Sequence, residues 1–146
     1  MSTEYKFRLQ KLLEIREKTE EKEKILFMEA SNAKHLVEKQ LEDLQDNYNR
    51  YSSINLSKAS TIERKIQHNY LNLLSSSIEK TTVDLEDKKQ SLELKRQDLI
   101  DAQVNRKTVE ILKEKKQKEY LWEMARVEQL QNDEYALYGF VRQSRR

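Results

Sequence analysis

The residues of this chain best suited to proton transfer or metal ligation near neutral pH are its two histidines, His35 and His68. If a turn lies near residue 57, residue 68 faces about residue 46, which leaves the two imidazoles about 16 Å apart along a helix axis. That separation excludes a shared metal or a proton relay. There is no cysteine, so disulfides and thiolate metal sites are absent, and a serine or lysine nucleophile would lack a neighbouring histidine base. A phosphate-cradling loop needs several glycines for close backbone approach, and Gly139 is the only one. Carboxylates are plentiful, but pushing one into general acid work takes a desolvated cleft. The side chains therefore point to binding rather than catalysis, with no cofactor and no metal expected.

What could hold a cleft is limited by composition: 36% hydrophobic against 37% charged residues, one glycine and no proline. This balance resembles a long-helix or coiled-coil protein with a narrow apolar seam, not a globule with a thick core. The longest uninterrupted apolar run is Ile25 to Met28, far short of the roughly 20 residues a membrane span needs. No apolar core or cleavage site of a secretory signal is found at the amino terminus. A cytoplasmic location is expected, and the lack of cysteine suits a reducing compartment.

Periodicity supplies the architecture. Leu71, Ile78, Leu85, Leu92 and Leu99 recur every seven residues, and Leu74, Ala102 and Val109 fit the second row of the same seam. In the first half, Leu26, Ala30, Ala33, Val37, Leu41, Leu44, Tyr48 and Tyr51 alternate by three and four, with a one-residue slip between Val37 and Leu41 that reads as a stutter. Arg16 to Lys24 is almost devoid of apolar side chains, so pairing there is expected to be loose. The polar stretch "SSINLSKAST", Ser52 to Thr61, is the best turn, with Ser60 and Glu63 spaced as a capping box. A rival turn at Ser75 to Ser77 would break the series from Leu71 to Leu99. Gly139 is expected to stop the second helix. The predicted fold is all-α: a long antiparallel two-helix coiled coil, with helix 1 over about 3–52, a turn over about 53–60, helix 2 over about 61–138 and a basic tail over 139–146, all in one domain.

Such a hairpin sets residue 3 opposite about residue 111, so the second helix overhangs the first. Tyr120, Leu121, Trp122, Met124, Val127, Leu130, Tyr135 and Leu137 lie on the overhang, and apolar side chains without an internal partner form a binding surface. Tyr120 and Met124 either continue the seam against an amino-terminal segment containing Tyr5, Phe7, Leu9, Leu12 and Leu13, or face outward. Trp122 stands off that row, as an interface anchor does. At the turn end Leu44, Tyr48, Tyr51, Tyr70 and Leu74 exceed what two rows can bury, so at least one tyrosine should be exposed.

Charge is uneven along the chain. Residues 88 to 118 carry ten Lys and Arg against five Asp and Glu, within a net charge of +2. A basic helix of this kind either contacts nucleic acid or forms a solvated flank for an acidic partner. Acidic residues interrupt every run, which favours the second reading, and no nucleic-acid partner is expected.

Two terminal pieces, "FRLQKLLEIREKTEEKEK" from Phe7 and "NRKTVEILKEKKQKEYLWEMARVEQLQNDEYA" from Asn105, resemble the flagellar export protein FliJ family. The match rests on the Phe-x-Leu start with Leu12, Leu13, Ile15 and Arg16, on the run from Arg106 to Lys116, and on Asp133 and Glu134. Together the pieces cover about a third of the chain, whose length also fits. Residues 25 to 100 match only as a helical hairpin, and the sequence from Leu137 onward departs from the pattern. The resemblance implies a non-enzymatic part of the flagellar type III export apparatus: a coiled coil similar to the central stalk of rotary ATPases. It would enter the export ATPase hexamer, engage the cytoplasmic domain of the export gate and handle export chaperones, reaching the inner membrane at the flagellar base only through these partners. By analogy with a stalk, Phe7, Leu12, Arg16, Arg106, Lys107, Glu110, Leu112, Leu121, Trp122, Asp133 and Glu134 would face the ATPase ring. Gln40, Leu44, Tyr51, Tyr70 and Leu74 would meet the gate or a chaperone. The alternatives are a generic structural coiled coil or homodimer, and a basic nucleic-acid-binding helix.

Overall fold

The structure, a computed structural model, describes residues 5–144. Two helices make up almost all of it: α1 spans Gln10–Ser52 and α2 spans Thr61–Ser144. Strong helix formers such as Glu, Lys, Leu and Gln fill both, and no proline removes a backbone donor. They pack together as a helical hairpin. α1 begins at Gln10, later than residue 3: Tyr5–Phe7 are not helical, and the Gln10 amide donates to the Phe7 carbonyl at 3.2 Å.

The turn falls where the small polar residues predict it, and side chains hold it. The Asn55 side-chain oxygen accepts from the Ser57 amide at 2.9 Å, and the Gln67 amide group donates to the Tyr51 carbonyl at 2.6 Å. The capping box is formed on both sides: the Ser60 amide donates to Glu63 Oε2 at 2.7 Å, and the Glu63 amide donates to Ser60 Oγ at 3.3 Å. Two orphan donors at the start of α2 are thereby satisfied. The helix runs unbroken through Ser75 to Ser77, so the rival turn is not used.

At the other end the expected stop is overturned. α2 continues through Gly139 to Ser144, and no glycine among the described residues has a positive φ. Nothing lies within 4 Å of the Cβ that Gly139 lacks, so neither packing nor a left-handed cap explains this glycine. The backbone simply keeps its helical hydrogen bonds where no tertiary contact opposes them.

Contacts divide the chain into two compact units, Glu20–Asp101, and Met1–Thr19 with Ala102–Arg146. In the first, Val37, Leu74 and Leu85 are buried, and Phe27, Ala30, Leu41, Leu44, Ile78, Leu92 and Leu99 are half-buried around them. In the second, Leu13, Ala102 and Val109 are buried. No described side chain falls below 2% exposure, as a seam only two rows wide dictates.

Burial also corrects the stutter. Leu13, Glu20, Phe27, Lys34, Leu41 and Tyr48 are all buried or half-buried at steps of seven, and so are Arg16, Glu23, Ala30, Val37 and Leu44. The frame of α1 is therefore continuous, and Lys34 fills the position that an apolar-only reading skipped. Its stem can lie on the seam while its ammonium reaches Glu38 at 3.2 Å. The polar stretch stays in frame too, at a cost: Glu23 Oε2 is buried with no hydrogen-bond partner.

Candidate functional site

Within the terminal unit, side chains of the amino-terminal segment meet those of α2. The Tyr5 and Tyr120 rings meet at 5.3 Å and 41°, and Lys113 Nζ donates to Gln10 Oε1 at 2.9 Å from a position that an ideal seam would give to Leu. These contacts decide the question left open at Tyr120 and Met124. Tyr120 is half-buried against Tyr5, whereas Met124 is 43% exposed. Beside them lies a hollow of about 510 Å³, lined by Tyr5, Lys6, Phe7, Arg8, Leu9, Leu112 and Lys116.

Every residue from Leu121 to Ser144 is exposed. Val127, Leu130, Leu137 and Val141 continue the seven-residue frame of α2 into this stretch, and Trp122 and Phe140 lie together to one side of that row. Trp122 is 67% exposed, with the Arg126 guanidinium 5.7 Å from its ring centre and Arg126 paired to Glu123 at 2.8 Å. Phe140 and Val141 were not singled out from the sequence, because reading Gly139 as a stop placed them in a loose tail, and Tyr138, at the end of the expected helix, was passed over with them. The recurrence of Val141 in the frame beyond Gly139 was the available signal.

Of the proposed ring-facing residues, Leu121, Trp122, Asp133 and Glu134 lie on this exposed helix, and Lys107 and Leu112 are exposed as well, Leu112 lining the hollow. Phe7, Leu12, Arg16, Arg106 and Glu110 are half-buried. Glu110 accepts from Arg106 at 2.8 Å and from Lys107 at 3.2 Å. The Lys107 hydrogen bond and charge, followed by the Arg106 charge, hold its carboxyl below the usual range. The pair Lys116 and Glu119, 2.7 Å apart, behaves alike: their hydrogen bond lowers the Glu119 pKa and raises that of Lys116.

At the turn, Tyr51 and Tyr70 meet edge to face at 4.8 Å and 73°. They line a hollow of 410 Å³ with Ile54, Leu56, Glu63, Ile66 and Gln67. Ile66 in its lining and Ile62, about one turn earlier on α2, are 62% and 72% exposed. Tyr51 is 37% exposed and Gln40 is exposed, while Leu44 and Tyr70 are half-buried. Leu74 is a correction: at 6% exposure it belongs to the core and offers nothing to a partner. Sequence reasoning missed Ile54, Ile62 and Ile66, whose apolar side chains flanking a polar turn were the only hint.

The histidines are spent locally. His35 Nδ1 lies 3.1 Å from Glu38, and His68 Nε2 lies 3.1 Å from the Asn72 amide. No cluster of three or more metal-ligating side chains is found among the described residues, and no helix there is long and apolar enough to cross a membrane.

The fold is thus an all-α helical hairpin with a thin seam, and apolar side chains are exposed near its turn and along α2 beyond Tyr120. The chain belongs to the flagellar FliJ protein family, whose sequence model matches residues 5–145, nearly the whole chain, including the segment beyond Leu137. Comparison with curated proteins and with solved structures gives no significant match. Family membership supports a role connected with flagellar protein export.

Proposed function

We propose that the protein is a non-enzymatic stalk of the flagellar type III export ATPase, with its terminal end in the hexameric ring and its turn end free for the export gate or a chaperone. One observation carries the reading: Leu121–Ser144 is helical and exposed throughout, with Trp122, Leu130, Leu137, Tyr138 and Phe140 uncovered. A bare helix of this composition suits insertion into a surrounding protein channel. The hollow beside Tyr5 and Leu112 adds apolar surface in the same unit. At the turn, the pocket beneath Tyr51 and Ile66 would take an apolar side chain of the gate or of a chaperone. Association with the flagellar base would then run through these partners.

The test is a pull-down and ATPase assay with the export ATPase of the same cell, comparing the full chain with versions ending at Tyr120 and at Lys113. Ending at Tyr120 keeps the Tyr5 contact and removes only the exposed helix. Binding and stimulation by the full chain and by neither truncation is the expected result. Full stimulation by the chain ending at Tyr120 would take the exposed helix out of the ring, and stimulation by none would leave a structural coiled coil or homodimer.

A further inference from the structure

Between Ser76 and Asp101, α2 carries seven acidic and five basic side chains, a mixture that looks featureless along the sequence. The helix sorts them. Lys88 and Lys95 are half-buried in the seam rows, and Lys89 and Arg96 follow them on its flank. All seven acidic residues are exposed: helical spacing puts Glu79, Glu86, Asp87, Glu93 and Asp101 on the side facing away from α1, where Lys80 is the one base, and sets Asp84 and Asp98 on the seam flank across from Lys89 and Arg96. Glu93 and Asp98 are approached at 3.8 and 3.6 Å by Arg96 and Lys95, and Asp101 accepts from Gln97 at 3.1 Å. Glu79, Asp84, Glu86 and Asp87 have no ion-pair partner among the described residues.

Apolar side chains punctuate this acidic face. Leu73, Val83 and Leu94 are 63%, 64% and 69% exposed, and they follow one another by ten and eleven residues, about 16 Å along the axis. That interval is one and a half heptads, so all three fall on a straight row opposite the seam. Uncharged Ser76, Gln90 and Gln97 occupy places between them, and a shallow hollow of 460 Å³ opens at Gln90, Glu93, Leu94 and Gln97.

We infer that the outward face of α2 between Leu73 and Asp101 docks a basic amphipathic helix from another protein. The apolar row of that helix would cover Val83 and Leu94, and its Lys or Arg flanks would meet Glu79, Asp84, Glu86 and Asp87. The charge selects this occupant. A second copy related by a two-fold axis through the strip would set one acidic face against another, and nucleic acid or an anionic membrane would be repelled. The inference stands on unit Glu20–Asp101 alone and does not depend on the stalk reading.

The probe is a labelled synthetic helix of about 28 residues, four heptads with Leu in the seam and Lys on both flanks. A scrambled peptide of identical composition serves as its control. Fluorescence anisotropy is read with the full chain at low salt. The designed helix should bind about tenfold more tightly than the scrambled one, and Val83→Ser with Leu94→Gln should weaken it by about the same factor. Glu79→Gln with Glu86→Gln should weaken it as well and flatten its salt dependence, whereas Trp122→Ala should not change it. These positions are exposed, so circular dichroism should be the same for all variants. Equal binding of the scrambled peptide, insensitivity to both double substitutions, or no binding would each overturn the inference.

Discussion

Leu73 and Leu74 are neighbours with the same side chain and opposite fates, 63% and 6% exposed. Leu74→Ala removes a buried side chain from a seam position, and Leu→Ala changes at buried sites cost about 2–5 kcal/mol. A two-row seam can collapse more readily than a thick core, which puts the expected loss near the lower end, about 2–3 kcal/mol. Leu73→Ala removes atoms that are mostly in water already. At roughly 25 cal/mol per Å² of apolar area, it should cost no more than about 0.5 kcal/mol. Urea unfolding followed by the helical circular dichroism signal compares the two variants with the parent. A shift of midpoint for Leu74→Ala alone is expected. Equal shifts, or a larger one for Leu73→Ala, would mean that the seven-residue frame assigned to α2 is wrong and with it the outward face built on that frame. The comparison also bears on partner binding: any loss of binding in Leu74→Ala would be traced to lost helix packing, because that side chain is not available to a partner.

Ser60→Ala removes one half of the capping box and should cost about 1 kcal/mol, seen as faster amide exchange in the first turn of α2; unchanged exchange would show the box to be idle. Gly139→Ala should stabilise the end of α2 by roughly 0.5–1 kcal/mol, since the site has room for a methyl and no positive φ; a loss of helicity in exchange measurements would contradict the helical assignment there. The Glu110 carboxyl, held low mainly by Lys107, should titrate below an ordinary glutamate in an NMR titration, and Lys107→Ala should move it up. Because its folded pKa is depressed, whatever stability it contributes is present above the unfolded pKa and is lost as pH falls through the folded value. An unmoved titration in Lys107→Ala would refute that cause.

Rows of leucine every seven residues, a polar segment between them, and a Ser and Glu three apart are local signals, and for that reason two helices, the turn and the cap were legible in the chain. No neighbour has to be known to read a period or a cap. The extent of α2 past Gly139 was not legible, because a glycine permits a left-handed stop without requiring one, and the helix runs on. Nor was the place of Lys34, whose type says surface while it is half-buried at a seam position. At the candidate site, exposure of Trp122 followed from its position off the row, but the division of Tyr120 from Met124 turned on where Tyr5 came to lie. Leu74 shows the same limit in reverse: its spacing put it in the seam, where it is buried, yet it was also offered to a partner that the packing of α1 on α2 leaves it unable to meet. Along residues 76 to 101 the composition is nearly balanced, and only wrapping it on a helix with one face committed to α1 separates acid from base. Local pattern, then, determined which segments are helical and where the chain reverses. Which side chains remain for other molecules was decided by the packing of one helix against the other, because burial is a property of the pair.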